Sequence, residues 1–251
     1  MADYQDYIMG KNPVMEALKG DRTVHKVLIQ EGAAKGPASQ VIKLCREKKV
    51  QVQDVPKQKL DQITEGASHQ GVLAYIAAFE YSELDDLFAK ADKKGEAPFF
   101  LLLDELEDPH NLGSILRTAD ASGAHGVIIP KRRSVSLTST VAKASAGAIE
   151  YVPVARVTNI AKTMEELKKR GLWFVGTDAE GDQDYREVDF DMATGLVIGS
   201  EGKGLSRLVR EKCDFLVRIP LLGRVTSLNA SVAASLLMYE VYRRRFPRGE
   251  G

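Results

Sequence analysis

Residues 99–120 read FFLLLDELEDPHNLGSILRTAD. The first five are wholly apolar, which is typical of a strand that is buried on both faces of a parallel sheet. A polar loop begins at Asp104, and apolar residues then recur at helical spacing from about Asn111 to Ser122. A buried strand, a polar loop and a helix in this order predict one unit of an α/β fold, whose ligands gather where the strand ends.

The same alternation continues to the C-terminus of the chain. Short apolar segments predict further strands at residues 126–129, 152–155, 172–176, 196–199 and 215–219. Helical patterns lie between and after them, at residues 137–146, 159–170, 205–212 and 228–245. Apolar strands separated by helices imply a parallel sheet covered on both faces. We therefore expect residues 98–251 to form one α/β domain.

The first part of the chain has a pattern of its own. Strands are predicted at residues 24–30, 50–55 and 71–78, and helices at residues 12–18 and 40–49. Residues 1–78 are therefore expected to form a small α/β module. Residues 79–97 contain few apolar residues and many charges, with Gly95 and Pro98 near the end. We expect a linker there, with one or two helical turns.

The composition is that of an ordinary globular protein. The chain has 251 residues, of which 44% are hydrophobic and 28% charged. No apolar run approaches the length that crosses a bilayer, and the first residues, MADYQDYIMGKNP, carry acids where a signal peptide carries basic residues. Cys45 and Cys213 are far apart, which indicates neither a disulfide framework nor a zinc site. We expect a reduced, cytoplasmic protein without membrane association.

Charges are unevenly distributed, although the formal net charge is zero. Lys131, Arg132 and Arg133 are consecutive, four arginines lie within residues 243–248, and acids concentrate within residues 178–191. For the C-terminal cluster, a solvated face and an RNA contact are about equally good interpretations. The distribution of charge permits RNA binding without requiring it.

Several common kinds of α/β site are excluded by their spacing. No G-x-G-x-x-G follows the first strand of the larger domain, which argues against a dinucleotide site. Residues 199–206 do not supply G-x-x-x-x-G-K-[ST], and no G-x-S-x-G occurs. The histidines at positions 25, 69, 110 and 125 show no metal-ligand spacing, so we predict no metal site.

Three segments that each follow a predicted strand carry the strongest signal. They read NLGSILRTA (111–119), GSEGKGL (199–205) and IPLLGRVTSLNAS (219–231). Together and in this order they resemble the three motifs of the SpoU, or TrmH-type, RNA methyltransferases of the SPOUT superfamily, and the resemblance spans residues 99–246. The N-terminal segment, which ends in SHQGV (68–72), resembles the small ribosomal-protein-like (L30e-like) substrate domain of many members.

This resemblance implies a fold, an activity and a cofactor. The implied fold is an α/β domain with a deep trefoil knot, and members are homodimers. The implied activity is transfer of a methyl group from S-adenosyl-L-methionine (SAM) to a ribose 2′-oxygen of RNA. Within the family, the motifs best match the enzymes that methylate a guanosine in the peptidyl-transferase region of 23S rRNA. A tRNA ribose methyltransferase and a catalytically silent RNA-binding protein of the same fold are the alternatives. The separate N-terminal module favours rRNA over tRNA.

The resemblance also implies the residues of the cofactor site. Gly199, Ile219 and Leu228 are expected to line the SAM cleft, and Gly176 and Thr177 to close it. The other expected cofactor residues lie on the loop after the last strand, and they are Pro220, Leu222 and Gly223. Glycine is compatible with such a site because it lets backbone groups approach a ligand closely.

The implied catalytic residues are Asn111, Arg117, Glu201, Ser227 and Asn229. Of these, the resemblance places Arg117 nearest the ribose proton. A guanidinium is almost always protonated in proteins and is a poor base, although a ribose hydroxyl is itself a very weak acid. Arg117 is therefore expected either to take the proton or to bind the adjacent phosphate, which would position a phosphate oxygen or a water to take it.

The same residues have ordinary structural interpretations. Asn111 stands just before an apolar helix, where Asn is often the N-cap. Ser227 and Asn229 precede the last helix and could also cap it, and Glu201 could be a solvated loop residue. Lys203 and Arg224 are candidate phosphate contacts only.

Two surfaces complete the predictions. The last helix carries a stripe at helical spacing that we expect to contact a second copy of the chain, as in the family: Val232, Leu236, Tyr239 and Arg243. Four basic residues of the N-terminal module lie close together in sequence, where they either meet RNA phosphates or form a solvated helix end: Lys43, Arg46, Lys48 and Lys49.

Overall fold

The computed structural model describes residues 6–19, 23–33, 36, 38–76 and 79–247, and the chain divides after residue 79 into two units. Each unit is built around a sheet of its own. Residues 77–78 of the last predicted N-terminal strand, and Arg248 of the C-terminal arginine cluster, lie outside the described residues.

The first unit is a four-stranded sheet with helices packed on both faces. Its elements are β1 (Asp6–Met9), α1 (Lys11–Lys19), β2 (Val24–Gln30), α2 (Ser39–Glu47), β3 (Gln51–Val55), α3 (Lys57–Ile63) and β4 (Val72–Ile76), with strand order β1-β4-β2-β3. Alternate residues of β2 face opposite sides, so Val27 and Ile29 pack with α1 and α2, whereas Leu28 packs with Leu60 of α3. The predicted small α/β module is confirmed, and the sequence patterns missed the short elements β1 and α3.

The second unit contains the predicted parallel sheet. Its strands are β5 (Phe99–Leu103), β6 (Gly126–Pro130), β7 (Val154–Val157), β8 (Trp173–Thr177), β9 (Gln183–Asp184), β10 (Thr194–Ile198) and β11 (Phe215–Arg218). Its helices are α4 (Leu84–Lys94), α5 (Pro109–Ala121), α6 (Ser139–Ala144), α7 (Ile160–Lys168), α8 (Arg207–Lys212) and α9 (Ala230–Arg245). Every pairing between these strands is parallel, and all five residues of β5 are buried.

The strand order of this sheet reverses beside β5. The order is β7-β6-β5-β10-β8-β11-β9, so the chain first builds outward on one side of β5 and later returns to its other side. In open parallel sheets, ligands bind outside the carboxyl ends of the strands at the point where the order reverses. Here that point lies between β5 and β10.

Residues 80–97 differ from the expected linker because they belong to the second unit. Helix α4 takes up eleven of them, and Glu83 and Asp86 form a capping box at its start. Leu87 and Phe88 of α4 lie in the core of the parallel sheet. The dense charges concealed this helix, since a few apolar residues at helical spacing are enough to bury one face.

Candidate active site at the carboxyl edge of the parallel sheet

The segments that follow β5 and β10 meet because these two strands are neighbours. Leu103 lies opposite Ile198, and the backbone N–H of Asp104 extends the ladder by donating to the carbonyl of Ile198 at 2.8 Å. The segment after β5 enters α5, and the segment after β10 forms a short hairpin. Two residues of the predicted motifs, Asn111 and Glu201, are thereby brought to the same edge of the sheet.

Asn111 lies inside α5 and does not cap it. Asp108 is the N-cap, since its Oδ1 accepts a hydrogen bond from the backbone N–H of His110 at 2.9 Å and Pro109 is the first helical residue. The N-cap interpretation of Asn111 is therefore wrong. Its side chain is instead directed into the site, where Asn111 is 5% exposed.

Asn111, Glu201 and Asn229 form one hydrogen-bonded group, which we call the carboxyl-edge cluster. Glu201 Oε1 accepts from Asn111 Nδ2 at 2.9 Å, from Asn229 Nδ2 at 2.5 Å and from the backbone N–H of Ala230 at 3.3 Å. Asn229 Nδ2 also donates to Asn111 Oδ1 at 2.9 Å. Each of the three side chains is therefore held in place by the other two.

The cluster keeps one strong acceptor open. Glu201 is exposed, and its Oε2 has no hydrogen-bond partner among the residues that the structure describes, whereas its Oε1 has three donors. A carboxylate with one oxygen fixed presents the other in a defined direction. Such an oxygen can accept a hydrogen bond from a hydroxyl or amino group of a ligand.

Asn229 caps helix α9 while it holds the cluster. Its Oδ1 accepts from the backbone N–H groups of Ser231 at 3.0 Å and Val232 at 3.3 Å, and from Ser231 Oγ at 2.6 Å. The capping interpretation of Asn229 is confirmed. The positive end of the α9 dipole consequently faces the carboxylate of Glu201, which stabilises its negative charge.

The hairpin that presents Glu201 requires a glycine at its base. Two backbone hydrogen bonds between Ser200 and Gly204, at 3.1 and 2.9 Å, close the hairpin. A Cβ at Gly199 would lie 2.2 Å from the backbone of Gly204. The glycine at this predicted cofactor position is thus explained by packing within the protein.

Asp104 is a positioning residue that the motifs did not predict. It is 5% exposed, and its Oδ2 accepts a hydrogen bond from the backbone N–H of Ser206 at 2.7 Å. Because Ser206 follows the hairpin, this bond fastens the hairpin to the end of β5. A carboxylate directly after a wholly apolar strand is the sequence signal that could have identified it.

Arg117 lies on the same helix as Asn111 but outside the cluster. It is six residues further along α5, about 9 Å along the helix axis. Arg117 is exposed, and its guanidinium makes no hydrogen bond or ion pair with any described residue. Thr118 Oγ1 lies 3.1 Å from Ser235 Oγ, which ties this part of α5 to α9. A fixed helix therefore presents an unpaired cation.

Three other predicted residues are not drawn into the cluster. Ser227, Lys203 and Arg224 are exposed, and their side chains make no hydrogen bond with the described part of the chain. Ser227 stays apart although Asn229, two residues later, is a member.

The predicted cofactor residues follow three adjacent strands. Thr177 ends β8, Gly199 follows β10 and Ile219 follows β11, and these strands lie in the order β10-β8-β11. Neighbouring strands are about 4.8 Å apart. The three residues therefore share a short stretch of the carboxyl edge, next to the cluster.

Gly176 is buried one residue before the end of β8. A Cβ there would lie 2.6 Å from Cys213 Sγ and 2.8 Å from Leu205 Cδ1. Burial raises the pKa of the Cys213 thiol to about 12, so this thiol stays protonated at neutral pH and is no nucleophile. The missing side chain of Gly176 makes room for these neighbours.

The loop after β11 is far more exposed than the strand ends. Pro220, Leu222 and Gly223 are exposed, Leu222 completely, and Leu228 is half-buried. A fully exposed leucine is a surface that a ligand or a second protein surface would cover favourably.

The described residues offer neither a metal site nor a membrane-spanning helix. No three side chains of histidine, cysteine, aspartate or glutamate lie together in a way that could hold a metal ion. None of the helices in this part of the chain is both long and apolar enough to span a membrane.

Comparison with known proteins matches both units. The SpoU rRNA Methylase family matches residues 98–239, and the family described as RNA 2′-O ribose methyltransferase substrate binding matches residues 7–82. YacO of Bacillus subtilis (strain 168), named for the TrmH family of tRNA/rRNA methyltransferases, is 62% identical over 250 residues and covers 100% of both chains.

Solved structures share the fold as well. The SpoU methyltransferase AviRb from Streptomyces viridochromogenes, in complex with the cofactor AdoMet, is 29% identical with a TM-score of 0.71, over 95% of this chain and 90% of its own. The AdoMet-bound rRNA methyltransferase from Sinorhizobium meliloti is 27% identical with a TM-score of 0.73, over 96% of this chain and 87% of its own.

The motifs, the parallel sheet with its cluster at the switch point, and these matches agree. The chain belongs to the SpoU rRNA methylase family.

Proposed function

We propose that this methyltransferase moves a methyl group from SAM to the ribose 2′-oxygen of an rRNA nucleotide, a guanosine in the peptidyl-transferase region of 23S rRNA. The observation that carries the proposal is the carboxyl-edge cluster, with its open carboxylate oxygen and with the unpaired Arg117 on the same helix. The choice of guanosine rests on the resemblance of the motifs alone.

The edge formed by β10, β8 and β11 is suited to SAM. Three adjacent strand ends offer backbone N–H and C=O groups that can recognise an adenine and a ribose within an apolar wall. Leu221, Leu222 and Val225 are exposed on the loop after β11 and would be covered by the bound nucleoside. The neighbours from Streptomyces viridochromogenes and Sinorhizobium meliloti, which hold AdoMet, share this fold. When bound, SAM supplies an electrophilic methyl group.

The cluster aligns the target ribose. Glu201 Oε2 accepts a hydrogen bond from a hydroxyl or amino group of the nucleotide, and the donors on Oε1 fix its direction. Asn111 and Asn229 hold the carboxylate at the switch point. Alignment is the main contribution of the protein, because methyl transfer between two well-placed atoms needs little covalent assistance.

Arg117 binds the phosphate next to the target ribose. Its planar guanidinium can hold a phosphate through two hydrogen bonds, and no described carboxylate competes for it. The bound phosphate then places one of its oxygens, or a water, beside the 2′-hydroxyl. That oxygen takes the proton as the bond between the ribose oxygen and the methyl carbon forms and the bond between this carbon and the cofactor sulfur breaks, with S-adenosylhomocysteine as the leaving group.

The first unit captures the RNA. It has a core of its own and contains none of the predicted catalytic residues, and the substrate-binding family matches it. Its cations Lys43, Arg46, Lys48 and Lys49 are exposed. A capture unit on the same chain raises the concentration of RNA near the catalytic unit. Removing residues 1–79 is expected to spare SAM binding and to weaken methylation of rRNA steeply at physiological salt.

A homodimer through α9 completes the proposal. Val232, Leu236 and Tyr239 are 48, 39 and 49% exposed on α9, whereas Leu237 and Val241 of the same helix are fully buried. The core of this chain therefore does not use the exposed stripe, and a second copy would cover it. Sedimentation at micromolar concentration is expected to show a dimer, and a fully active monomer would contradict this. The deep trefoil knot implied by the motifs also stays a prediction.

A transfer assay with tritiated SAM tests the function. Total RNA from cells that lack the protein is incubated with the wild-type chain and, as a matched control, with Arg117→Ala. We expect label in 23S rRNA with the wild type, at a ribose that becomes resistant to alkaline cleavage, and calorimetry should show SAM binding in excess EDTA. Label in small RNA alone would identify a tRNA enzyme, and binding of RNA without any label would identify a silent binder.

A further inference from the structure

The loop between β6 and α6 carries three consecutive exposed cations, Lys131, Arg132 and Arg133. With Arg156 of β7 they form what we call the basic tract. Because β6 lies next to β5 and runs parallel to it, the loop leaves the sheet at the same edge as the carboxyl-edge cluster. The tract and the cluster therefore share one edge of the sheet.

Two contacts fasten this loop to the segment that leads into α5. The backbone N–H of Val135 donates to the carbonyl of Leu106 at 3.0 Å, and Arg133 Nη1 donates to Glu105 Oε1 at 3.0 Å. Leu106 precedes Asn111 by five residues. The tract is consequently held beside the segment that positions the cluster.

The other side of the tract is held by an aromatic ring. Arg156 Nη2 donates to the carbonyl of Lys131 at 3.2 Å, and its guanidinium lies 4.7 Å from the centre of the Tyr81 ring. Arg156 Nε is buried and has no hydrogen-bond partner among the described residues. The stack on Tyr81 limits the movement of Arg156.

The positive charges of the tract are only partly neutralised by neighbouring carboxylates. Glu105 neutralises Arg133, and Asp108 caps α5. Lys131 and Arg132 make no side-chain hydrogen bond or ion pair with the residues that the structure describes. Glu107, on the neighbouring loop, interacts electrostatically with Arg133 as well. A surplus of positive charge therefore borders the cluster, and it attracts a polyanion.

We propose that Lys131 and Arg132 bind phosphates of the RNA strand that flanks the methylated nucleotide, so that the RNA runs along the carboxyl ends of β6 and β7. This inference rests on the proposed function and states where its substrate lies. The strand order agrees with this proposal. The predicted cofactor residues lie at the ends of β10, β8 and β11 on one side of β5, and the tract lies after β6 and within β7 on the other side.

The carboxyl edge is thereby divided into a cofactor half and an RNA half. Asn111, which follows β5, stands at the boundary between them. The target ribose has to lie at this boundary, because it must meet the methyl group while its flanking phosphates lead away from the cofactor. The tract supplies the cations that bind these flanking phosphates.

The double variant Lys131→Ala/Arg132→Ala tests the proposal against a matched control, Lys93→Ala/Lys94→Ala. Lys93 and Lys94 are also consecutive and exposed, but they end α4 just before β5 begins, at the opposite edge of the sheet. The probe is an unmodified transcript of the peptidyl-transferase region of 23S rRNA. Its binding is followed by fluorescence anisotropy between 50 and 200 mM KCl, and its methylation by transfer from tritiated SAM.

Two lost phosphate contacts should lower the salt dependence of RNA binding. We expect the wild type to lose about tenfold more affinity than the tract variant between 50 and 200 mM salt. At low salt, the KM of the tract variant for RNA should be higher than that of the wild type, while its kcat and its SAM affinity stay within about twofold of the wild-type values. The control variant should behave as the wild type does.

An unchanged salt dependence and KM in the tract variant would overturn the proposal, and so would an equal loss in the control. If the wild type binds the transcript without methylating it, the proposed function fails, and the salt dependence still decides whether the tract binds RNA. Should the double variant unfold, Lys131→Gln and Arg132→Gln made singly give the same test with half the change in salt dependence.

Discussion

Polar clusters stand at both edges of the parallel sheet, and they differ in how fully their hydrogen-bonding groups are used. At the amino edge, Arg245 donates to the carbonyl oxygens of Ala97, Pro98, Phe190 and Met192 at 2.6 to 3.3 Å. Beside it, His125 is fully buried, accepts through Nδ1 from the backbone N–H of Phe99 at 3.0 Å, and donates through Nε2 to Glu96 at 3.0 Å.

The carboxyl-edge cluster is open where the amino-edge cluster is saturated. Glu201 Oε2 and the Arg117 guanidinium have no partners among the described residues, and both residues are exposed. Saturated, buried polar groups lock strand ends and loops together, because leaving any of them unpaired is costly. Polar groups that act on a ligand must keep donors or acceptors that are not paired within the protein. The two edges therefore separate stability from chemistry, and substitutions at each edge should have different effects.

The largest expected effect is that of Arg117→Ala on turnover. Removing the phosphate-binding guanidinium should lower methyl transfer by about 10³-fold, which corresponds to about 4 kcal/mol in activation free energy. SAM binding and the free energy of unfolding should change little, since Arg117 is exposed and unpaired. Single-turnover kinetics and urea unfolding measure the two. Arg117→Lys should recover little activity, because an ammonium cannot reproduce the planar fork, and near-normal turnover by either variant would reject the assignment.

Arg245→Ala should show the opposite behaviour. Loss of its donors leaves the part-buried carbonyl oxygens of Ala97 and Phe190 without a hydrogen bond, so the free energy of unfolding should fall by about 3 kcal/mol. The folded fraction should methylate RNA at the normal rate. Arg117→Ala serves as the control for loss of an arginine as such. A variant with normal stability, or one that stays folded and loses turnover, would break the separation between the two edges.

A smaller effect is expected from Glu201→Ala. Asn111, Asn229 and Ala230 lose their shared acceptor, so the ribose is aligned less well and transfer should fall by about 100-fold. Glu201→Gln is the matched control, since its amide oxygen can still receive the three donors. It should lose only about tenfold, because the charge and the second acceptor oxygen are gone. Equal losses in both variants would show that the charge or the second acceptor oxygen matters and that the shared acceptor does not.

The smallest effect is a pH dependence of stability that originates at the amino edge. Burial lowers the pKa of His125 below its ordinary value of about 6.5, and a second proton on the ring would displace the Phe99 N–H from Nδ1. The unfolded chain therefore binds a proton below pH 6.5 that the folded chain does not. The free energy of unfolding should fall with decreasing pH, by at most about 1.4 kcal/mol per unit, and should be unaffected above pH 7.

His125→Asn isolates this contribution. Its amide oxygen can still accept from the Phe99 N–H, and the variant has no titrating ring at this position. Urea unfolding at pH 7 and pH 5.5 should therefore show a larger loss for the wild type than for the variant. An identical loss in both would assign the acid sensitivity to other groups.

Much of the larger unit could be predicted from local patterns. The predicted strands at residues 172–176 and 196–199 differ by one or two residues from β8 (Trp173–Thr177) and β10 (Thr194–Ile198). These segments are apolar because both faces of the sheet are covered. Only one or two turns of helix α4 were predicted, within a linker, because its apolar residues are few and stand among charges and its burial depends on what it packs against.

In the candidate site, too, some features could be predicted from the sequence and others could not. The motifs identified Asn111, Glu201 and Asn229 as site residues, and the structure shows that their side chains are hydrogen-bonded to one another. The position of Asp104 directly after a buried strand is visible in the sequence, but its hydrogen-bond partner is not, since this partner is a backbone N–H 102 residues away. Ser227 belongs to the same motif as Asn229 and yet stays outside the cluster.

The sequence by itself determined that the larger unit is a parallel α/β sheet, that its loops carry the three motifs, and that the first part of the chain has an α/β pattern of its own. These follow from the period of apolar residues and from the identity of loop residues, which are local properties. Only the tertiary structure decided that β10 returns to lie beside β5, which brings Asn111 and Glu201, 90 residues apart, into hydrogen-bonding contact. Strand order results from backbone pairing and helix packing over the whole sheet, and no segment of the chain encodes it alone.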